Sequence, residues 1–247
     1  MQDIILVDSV DAEAELDRLA AHYRSAGGAG VRMLNSLGGS AETLLDRLPE
    51  PVRNGLTGAT EQALKLAIHA AQGSRHIVPD QKPWMNTTLT TAMGAAGGLG
   101  GVSTALMELP ATTTLLLRSI QGAAAREGFD PAAENVMFDC VQVLSAAGPL
   151  DYDDGSDLGF FSVRLTLTGP AMQRLIAVVA PRLSIVLGKK LAAQSVPVLG
   201  ALAGGGANYL YTRYYQQIAH VHFGLRRLAA DADVPHDKLV RDLAARM

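Results

Sequence analysis

Glu108 is the acid whose surroundings most invite chemistry. It stands in Leu106-Met107-Glu108-Leu109-Pro110, between apolar neighbours and just before a proline that opens a helical pattern. A carboxylate desolvated there would have a raised pKa and could act as a general acid or base, so a hydrolase is one reading of the chain. The other reading is structural: Glu108 accepts hydrogen bonds from the helix start at Pro110–Thr113, or pairs with Arg118. Structural carboxylates outnumber catalytic ones, so a non-enzymatic protein is expected, with Glu108 its catalytic candidate.

Other reactive residue types give less. His220 and His222 are two apart and point to different faces of a helix. His69 and His76 are seven apart, but Gly73 intervenes as a helix end. No His-Glu-x-x-His pattern exists, so no metal and no cofactor are expected. Gly101-Val102-Ser103-Thr104-Ala105 approaches a nucleophile elbow but ends in Ala and has no strand before it. Leu183 stands where a phosphate loop ending in Gly188-Lys189 would need Gly. Cys140 lies among Val136, Val141, Val143 and Leu144 and reads as a small core residue.

Composition bounds the rest. Of 247 residues, 48% are apolar and 18% charged, and the mean hydropathy is +0.15. That excludes a disordered chain. One cysteine excludes a disulfide framework, and a net charge of −3 excludes a globally basic nucleic-acid binder. The first ten residues carry Asp3 and Asp8 and no base, unlike an export signal, so a cytoplasmic protein is expected.

The elements that must position these residues read as helices. Leu16, Leu19, Ala20 and Tyr23 form one stripe. Val31, Leu34, Leu37, Ala41, Leu44, Leu45 and Leu48 form a second, ended by Pro49 and Pro51. Leu56, Ala59, Ala63, Leu64, Ala67 and Ala71 form a third. Pro110 and Pro131 each open a further helical pattern, as Pro170 and Pro197 could also do. Strand signals are confined to Ile4–Val7 and Ser162–Thr168, and no βαβ rhythm appears. The expected fold is all-α: a multi-helix bundle with glycine-rich, closely packed central helices. Its expected parts are an N-terminal helical segment (1–55), a main helical domain (56–230) and a C-terminal helix (231–247).

Two stretches, 83–107 and 191–212, carry no formal charge. Each is long enough to span a bilayer, but Asn, Thr, Gln, Pro and Gly dilute them. Gly94 and Gly98, Gly97 and Gly101, and Gly200 and Gly204 are four apart, a spacing that lets two helices approach closely in a membrane or a soluble core.

Charge is unevenly placed. Residues 130–157 carry seven acids and no base, and residues 158–230 carry eight bases and no acid. Basic and apolar together is the pattern of a surface that rests on anionic lipid. Aromatic residues flank the uncharged stretches: Trp84 before the first, and Tyr209, Tyr211, Tyr214 and Tyr215 at the end of the second. The expected membrane- or partner-binding residues are therefore Trp84, Arg182, Lys189, Lys190, Tyr209, Tyr211, Arg213, Tyr214, Tyr215, Arg226 and Arg227. The competing reading is core packing, with the bases paired to the acidic 130–157 segment.

Two blocks resemble a known family. Gly94-Ala-Ala-Gly-Gly-Leu-Gly-Gly101, Glu108-Leu-Pro110-Ala-Thr-Thr113, Arg118-Ser-Ile-Gln121 and Ala125-Arg-Glu-Gly128 resemble the central block of the EcsC protein family. Val196-Pro-Val-Leu-Gly200, Gly206-Ala-Asn208 and Ala219 to Leu228 resemble its C-terminal block. The likeness extends over roughly residues 60–230 and is less clear in the first 55. It implies a bacterial, mainly helical protein in a membrane setting, because the family takes its name from a gene beside an ABC transporter. It supplies no catalytic residues. The family-like positions are Glu108, Pro110, Arg118, Pro197, Gly200 and Asn208.

The expected function is peripheral association with an anionic inner-membrane surface, or with a membrane protein, through region 158–230. The alternatives are a soluble partner-binding scaffold, which could self-associate, and the Glu108 hydrolase. Nucleic acid is not an expected partner.

Overall fold

Asp11 starts the first helix. Its carboxylate accepts the backbone N–H groups of Glu13 and Ala14, each at 3.1 Å, and so caps the helix end. The structure, a computed structural model, describes residues 11–36, 44–74, 87–89, 91–92, 106–150, 158, 161, 170–194 and 200–247. All regular structure among the described residues is helical. In chain order the elements are α1 (Ala12–Ser36), a 3₁₀ turn (Leu45–Arg47), α2 (Glu50–Ser74), α3 (Leu109–Arg126), α4 (Glu134–Val143), α5 (Ala171–Gln194), α6 (Gly200–Asp231) and α7 (His236–Ala244).

The first stripe and the start of the second, Val31 and Leu34, lie on one helix, while Leu37 and Ala41 lie outside the described residues. α1 runs unbroken through Gly27, Gly28 and Gly30 to Ser36. Each glycine costs about 1 kcal/mol of helix propensity. Burial of Leu16, Leu19, Ala20, Tyr23 and Ala26 outweighs that cost. The later leucines of the second stripe, Leu44, Leu45 and Leu48, belong to the 3₁₀ turn and its flanks. Pro51 begins α2 and does not end its predecessor, because its fixed φ suits a first turn. The third stripe is buried as its spacing requires, with Ala59 partly so.

α3 ends in a Schellman motif. Phe129 N–H bonds to the Ala124 carbonyl and Gly128 N–H to the Ala125 carbonyl, with Gly128 at φ 84°. Pro131 was expected to open the next helix, but α4 begins only at Glu134. The Asp130 carboxylate accepts Ala132 N–H at 2.9 Å and holds a turn there first. Pro170 directly precedes α5, as expected.

One apolar core joins every long helix, from Leu16 on α1 to Leu243 on α7. α6 is its axis. Tyr211, Tyr214, Tyr215, Ile218 and Phe223 on α6 are fully buried. Leu19 seats directly on Gly224, where a Cβ would lie 2.7 Å from Leu19 Cδ2. α7 buries Leu239, Val240 and Leu243, and the Arg246 that follows it pairs with Glu13 and Asp17 on α1. Trp84, Gly94–Gly101, Pro197, Ile4–Val7 and Ser162–Thr168 lie outside the described residues.

Two glycines separate conformational need from space. Gly148 has φ 91°, and a Cβ there would lie 2.8 Å from Val186 Cγ1. Gly128 has φ 84° with nothing within 4 Å. Gly128→Ala should cost about 1–2 kcal/mol, the left-handed penalty alone. Gly148→Ala should cost about 2–4 kcal/mol, because a stiff valine must also move. Denaturant unfolding of the two variants checks the order, and equal losses would contradict it.

Candidate functional site

α5 exposes one stripe of its surface. Arg174, Ala177, Val178, Pro181, Arg182 and Ile185 are exposed, and Lys189 is partly so. At 3.6 residues per turn they fall within an arc of roughly 140°, running about 22 Å along the axis from Arg174 to Lys189. The stripe is both basic and apolar: Val178 is 53% exposed and Ile185 47%. The opposite side of α5 buries Leu175, Ile176, Val179, Leu183, Val186 and Leu187. Pro181 interrupts the hydrogen-bond ladder on the outer side, where solvent can satisfy the freed carbonyl. The Ser184 hydroxyl stands 3.1 Å from that of Thr57 and fixes α5 against α2. On the flanking elements, Asp46 pairs with Arg53 at 3.0 Å and Glu61 with Lys65 at 2.6 Å. These acids are already engaged.

The structure divides the expected binding residues. Arg182 and Lys189 lie on the α5 stripe. Tyr209 is 44% exposed on α6, with the Arg213 guanidinium 6.0 Å from its ring centroid. Tyr211, Tyr214 and Tyr215 are core residues and not interface residues. Tyr211 donates to the Val186 carbonyl at 3.0 Å and Tyr215 to the Leu144 carbonyl at 3.4 Å. Lys190 is buried too, so it joins no outward face.

Arg226 and Arg227 are committed inside the fold. Arg226 pairs with Asp139 on α4 and lies 5.0 Å from the Phe129 ring centroid. Asp139 belongs to the acidic 130–157 segment, so here the pairing reading holds. Arg227 joins Glu127, at the end of α3, to Glu15 on α1. His220 also bonds Glu127, and its ring meets His22 edge-on at 4.7 Å. Burial alone would raise the Glu127 carboxyl. The bond from His220 and the charges of His220, Arg227 and Arg126 outweigh it and hold the carboxyl below its ordinary range.

His222 is different. It is buried between Phe161, stacked at 5.7 Å, and Phe223, edge-on at 5.1 Å. Its Nε2 lies 3.7 Å from Asp139, beyond hydrogen-bond reach, and Asp139 is taken by Arg226. Burial pushes its pKa down to about 4, so the contact is not an ion pair at neutral pH.

Glu108 does neither of the things expected of a structural acid. It precedes α3, but its side chain makes no capping bond. The charge acting on it is that of Lys190, not Arg118, and burial raises its carboxyl. Arg118 and Asn208 are buried on α3 and α6. Pro110 lies in the first turn of α3, and Gly200 is the first residue of α6. Among the described residues no three His, Cys, Asp or Glu side chains converge as a metal site, and no helix is long and apolar enough to cross a membrane.

Sequence reasoning missed Glu15, His22 and Glu127, and reached Asp139 only through the acidic 130–157 segment as a whole. The i, i+7 spacing of His220 and Arg227 marked one face of α6 that needed an acid, but nothing in the sequence named which acid.

His222 carries a pH signature. Its folded pKa lies below the unfolded value of 6.5, so protonation favours the unfolded chain. Stability should therefore fall by about 3 kcal/mol as pH drops from above 6.5 through about 4. His222→Phe should flatten that part of the profile. Denaturant melts of both proteins from pH 7 to pH 4 test this, and parallel profiles would refute it.

No curated protein and no solved structure matches the chain. The EcsC protein family matches residues 32–154. The match begins earlier than the resemblance did and stops before its C-terminal block at 196–228. It includes the central block, with Glu108, Pro110 and Arg118, so the chain belongs to the EcsC protein family.

Proposed function

We propose that this protein is a peripheral membrane protein that rests the outward stripe of α5 on an anionic lipid surface. One observation carries the reading: Arg174, Arg182 and Lys189 share a single helix face with the exposed Val178 and Ile185. A basic amphipathic face lies in the interface plane, with its apolar residues among the acyl chains and its bases at the phosphates. No acid occurs between Leu158 and Ala230, so α5 brings no charge of its own to oppose the contact. The inner leaflet of a cytoplasmic membrane supplies the anionic lipid. The chain would then be cytoplasmic and would work by positioning itself or a partner there, without a catalytic step.

Each base near such a surface contributes about 1 kcal/mol. Replacing Arg174, Arg182 and Lys189 together with Gln should weaken binding about 100-fold. Vesicle flotation measures it directly. Recovery should be high with anionic vesicles, low with neutral ones, and reduced by high salt. Equal recovery with both vesicle types, or with neither, removes the lipid reading. A salt-sensitive oligomer that ignores vesicles would point to a soluble scaffold instead.

A further inference from the structure

His22 and His220 are far apart in sequence, yet their rings meet at the seam of α1 and α6, edge-on with centroids 4.7 Å apart. The two helices are locked on both sides of the pair. Leu19, one turn before His22, seats against Gly224, one turn after His220. Ser25, one turn after His22, accepts from the Gln217 amide, one turn before His220, at 3.3 Å. Residue numbers rise on α1 as they fall on α6, so the helices are antiparallel here and the register of the pair is fixed by contacts on either side of it.

The two rings are held differently. His220 Nδ1 bonds one oxygen of Glu127, whose side chain is only 4% exposed, and Arg227 pairs with the other oxygen. In the neutral imidazole the shared proton then sits on Nδ1, and Nε2 keeps its lone pair. The His220 side chain is 33% exposed, so solvent reaches the ring. His22 is partly exposed as well, and its ring makes no hydrogen bond among the described residues. It can turn about its side-chain torsions without breaking one. The nearby guanidinium groups of Arg18 and Arg227 are matched by the carboxylates of Glu15 and Glu127.

We propose that His22 and His220 form an open binding site for a late first-row divalent metal ion, of the class of Ni²⁺, Cu²⁺ and Zn²⁺. Two imidazoles bound side by side to one ion, at bonds of about 2.0–2.1 Å, have ring centres about 4.5–5 Å apart. The two rings already stand at that separation. A small rotation of His22 turns one of its nitrogens towards an ion on His220 Nε2. The arrangement behind His220 is the one that metal-binding histidines use: the other ring nitrogen donates to a carboxylate, which fixes the tautomer and makes the free nitrogen more basic. Water completes the coordination, so the site needs no third acidic, histidine or cysteine ligand, and among the described residues none converges there. Neutral nitrogen ligands select late transition ions over Mg²⁺ and Ca²⁺, which take oxygen. On α6 alone His220 and His222 face different ways and cannot share an ion; α1 supplies the second ring. Neither histidine belongs to the α5 stripe.

Calorimetric titration of the untagged full chain with Ni²⁺ tests this, with Mg²⁺ as the control ion. The unmodified protein should bind about one Ni²⁺ per chain and should not bind Mg²⁺ over the same concentrations. His22→Gln and His220→Gln should each weaken Ni²⁺ binding about tenfold or more, since removing even a residue behind a ligand costs that much. His22→Gln breaks no hydrogen bond and leaves the Glu127 contacts intact, so its loss of binding does not report a damaged fold. His69→Gln, an exposed change on α2, should leave binding as it was. Paramagnetic broadening gives a readout that needs no variant: in NMR spectra of the unmodified protein, a trace of Ni²⁺ should broaden the imidazole signals of His22 and His220 before those of the other histidines. Absence of Ni²⁺ binding, equal binding by His22→Gln, or broadening centred on another histidine overturns the proposal.

Discussion

Burial of α6 is the constraint on which the rest of the structure depends. A helix of 32 residues carries Tyr211, Tyr214, Tyr215, Ile218 and Phe223 inward and must be covered on several sides at once. α1, α3, α4, α5 and α7 supply the cover. Phenol groups inside a core need acceptors. The carbonyls of Val186 and Leu144 provide two, and in doing so they fix how α5 and the end of α4 sit against the axis. Gly224 lets α1 approach until Leu19 touches the α6 backbone. Larger side chains at 224 or 148 would hold the layers apart.

The same burial decides where charge goes. The bases of α6 cannot stay uncompensated beside a packed interior, so acids arrive from four directions: Glu15 from α1, Glu127 from the end of α3, Asp139 from α4 and Asp231 from the next turn of α6. The Schellman turn at Gly128 serves this end, since it stops α3 where Glu127 faces His220 and Arg227. These pairs are partly buried, so they define geometry more than they add net stability. Along its outer arc α5 carries Arg174, Arg182 and Lys189 at the surface. Its bases point outward, and the net positive charge of residues 158–230 becomes a surface property of α5 more than of the whole segment.

Lys190 stands against this pattern. The other bases singled out in the sequence either reach solvent or lie close to an acid or an aromatic ring. Lys190 is enclosed, with an acid only at a distance. Natural proteins break local rules of burial mainly at functional sites.

The sequence by itself determined the helical class, the apolar stripes of α1 and α2, the start of α3 at Pro110, and the family. Each follows from local periodicity, from proline geometry or from ordered motifs, which need no knowledge of distant neighbours. It also showed that acids and bases are segregated along the chain. It could not say which bases would be neutralised. Arg226 and Arg182 look alike in a list of residues; one meets Asp139 and the other lies on an outward face, because helix packing brings α4 to α6 and leaves the outer arc of α5 uncovered. The tyrosines misled for the same reason. Tyr209 and Tyr211 are two apart, which on a helix means opposite sides, and only the packing of α5 against α6 decided which side was the core. Composition sets how much apolar and charged surface a chain has, and tertiary contacts set which of it meets water.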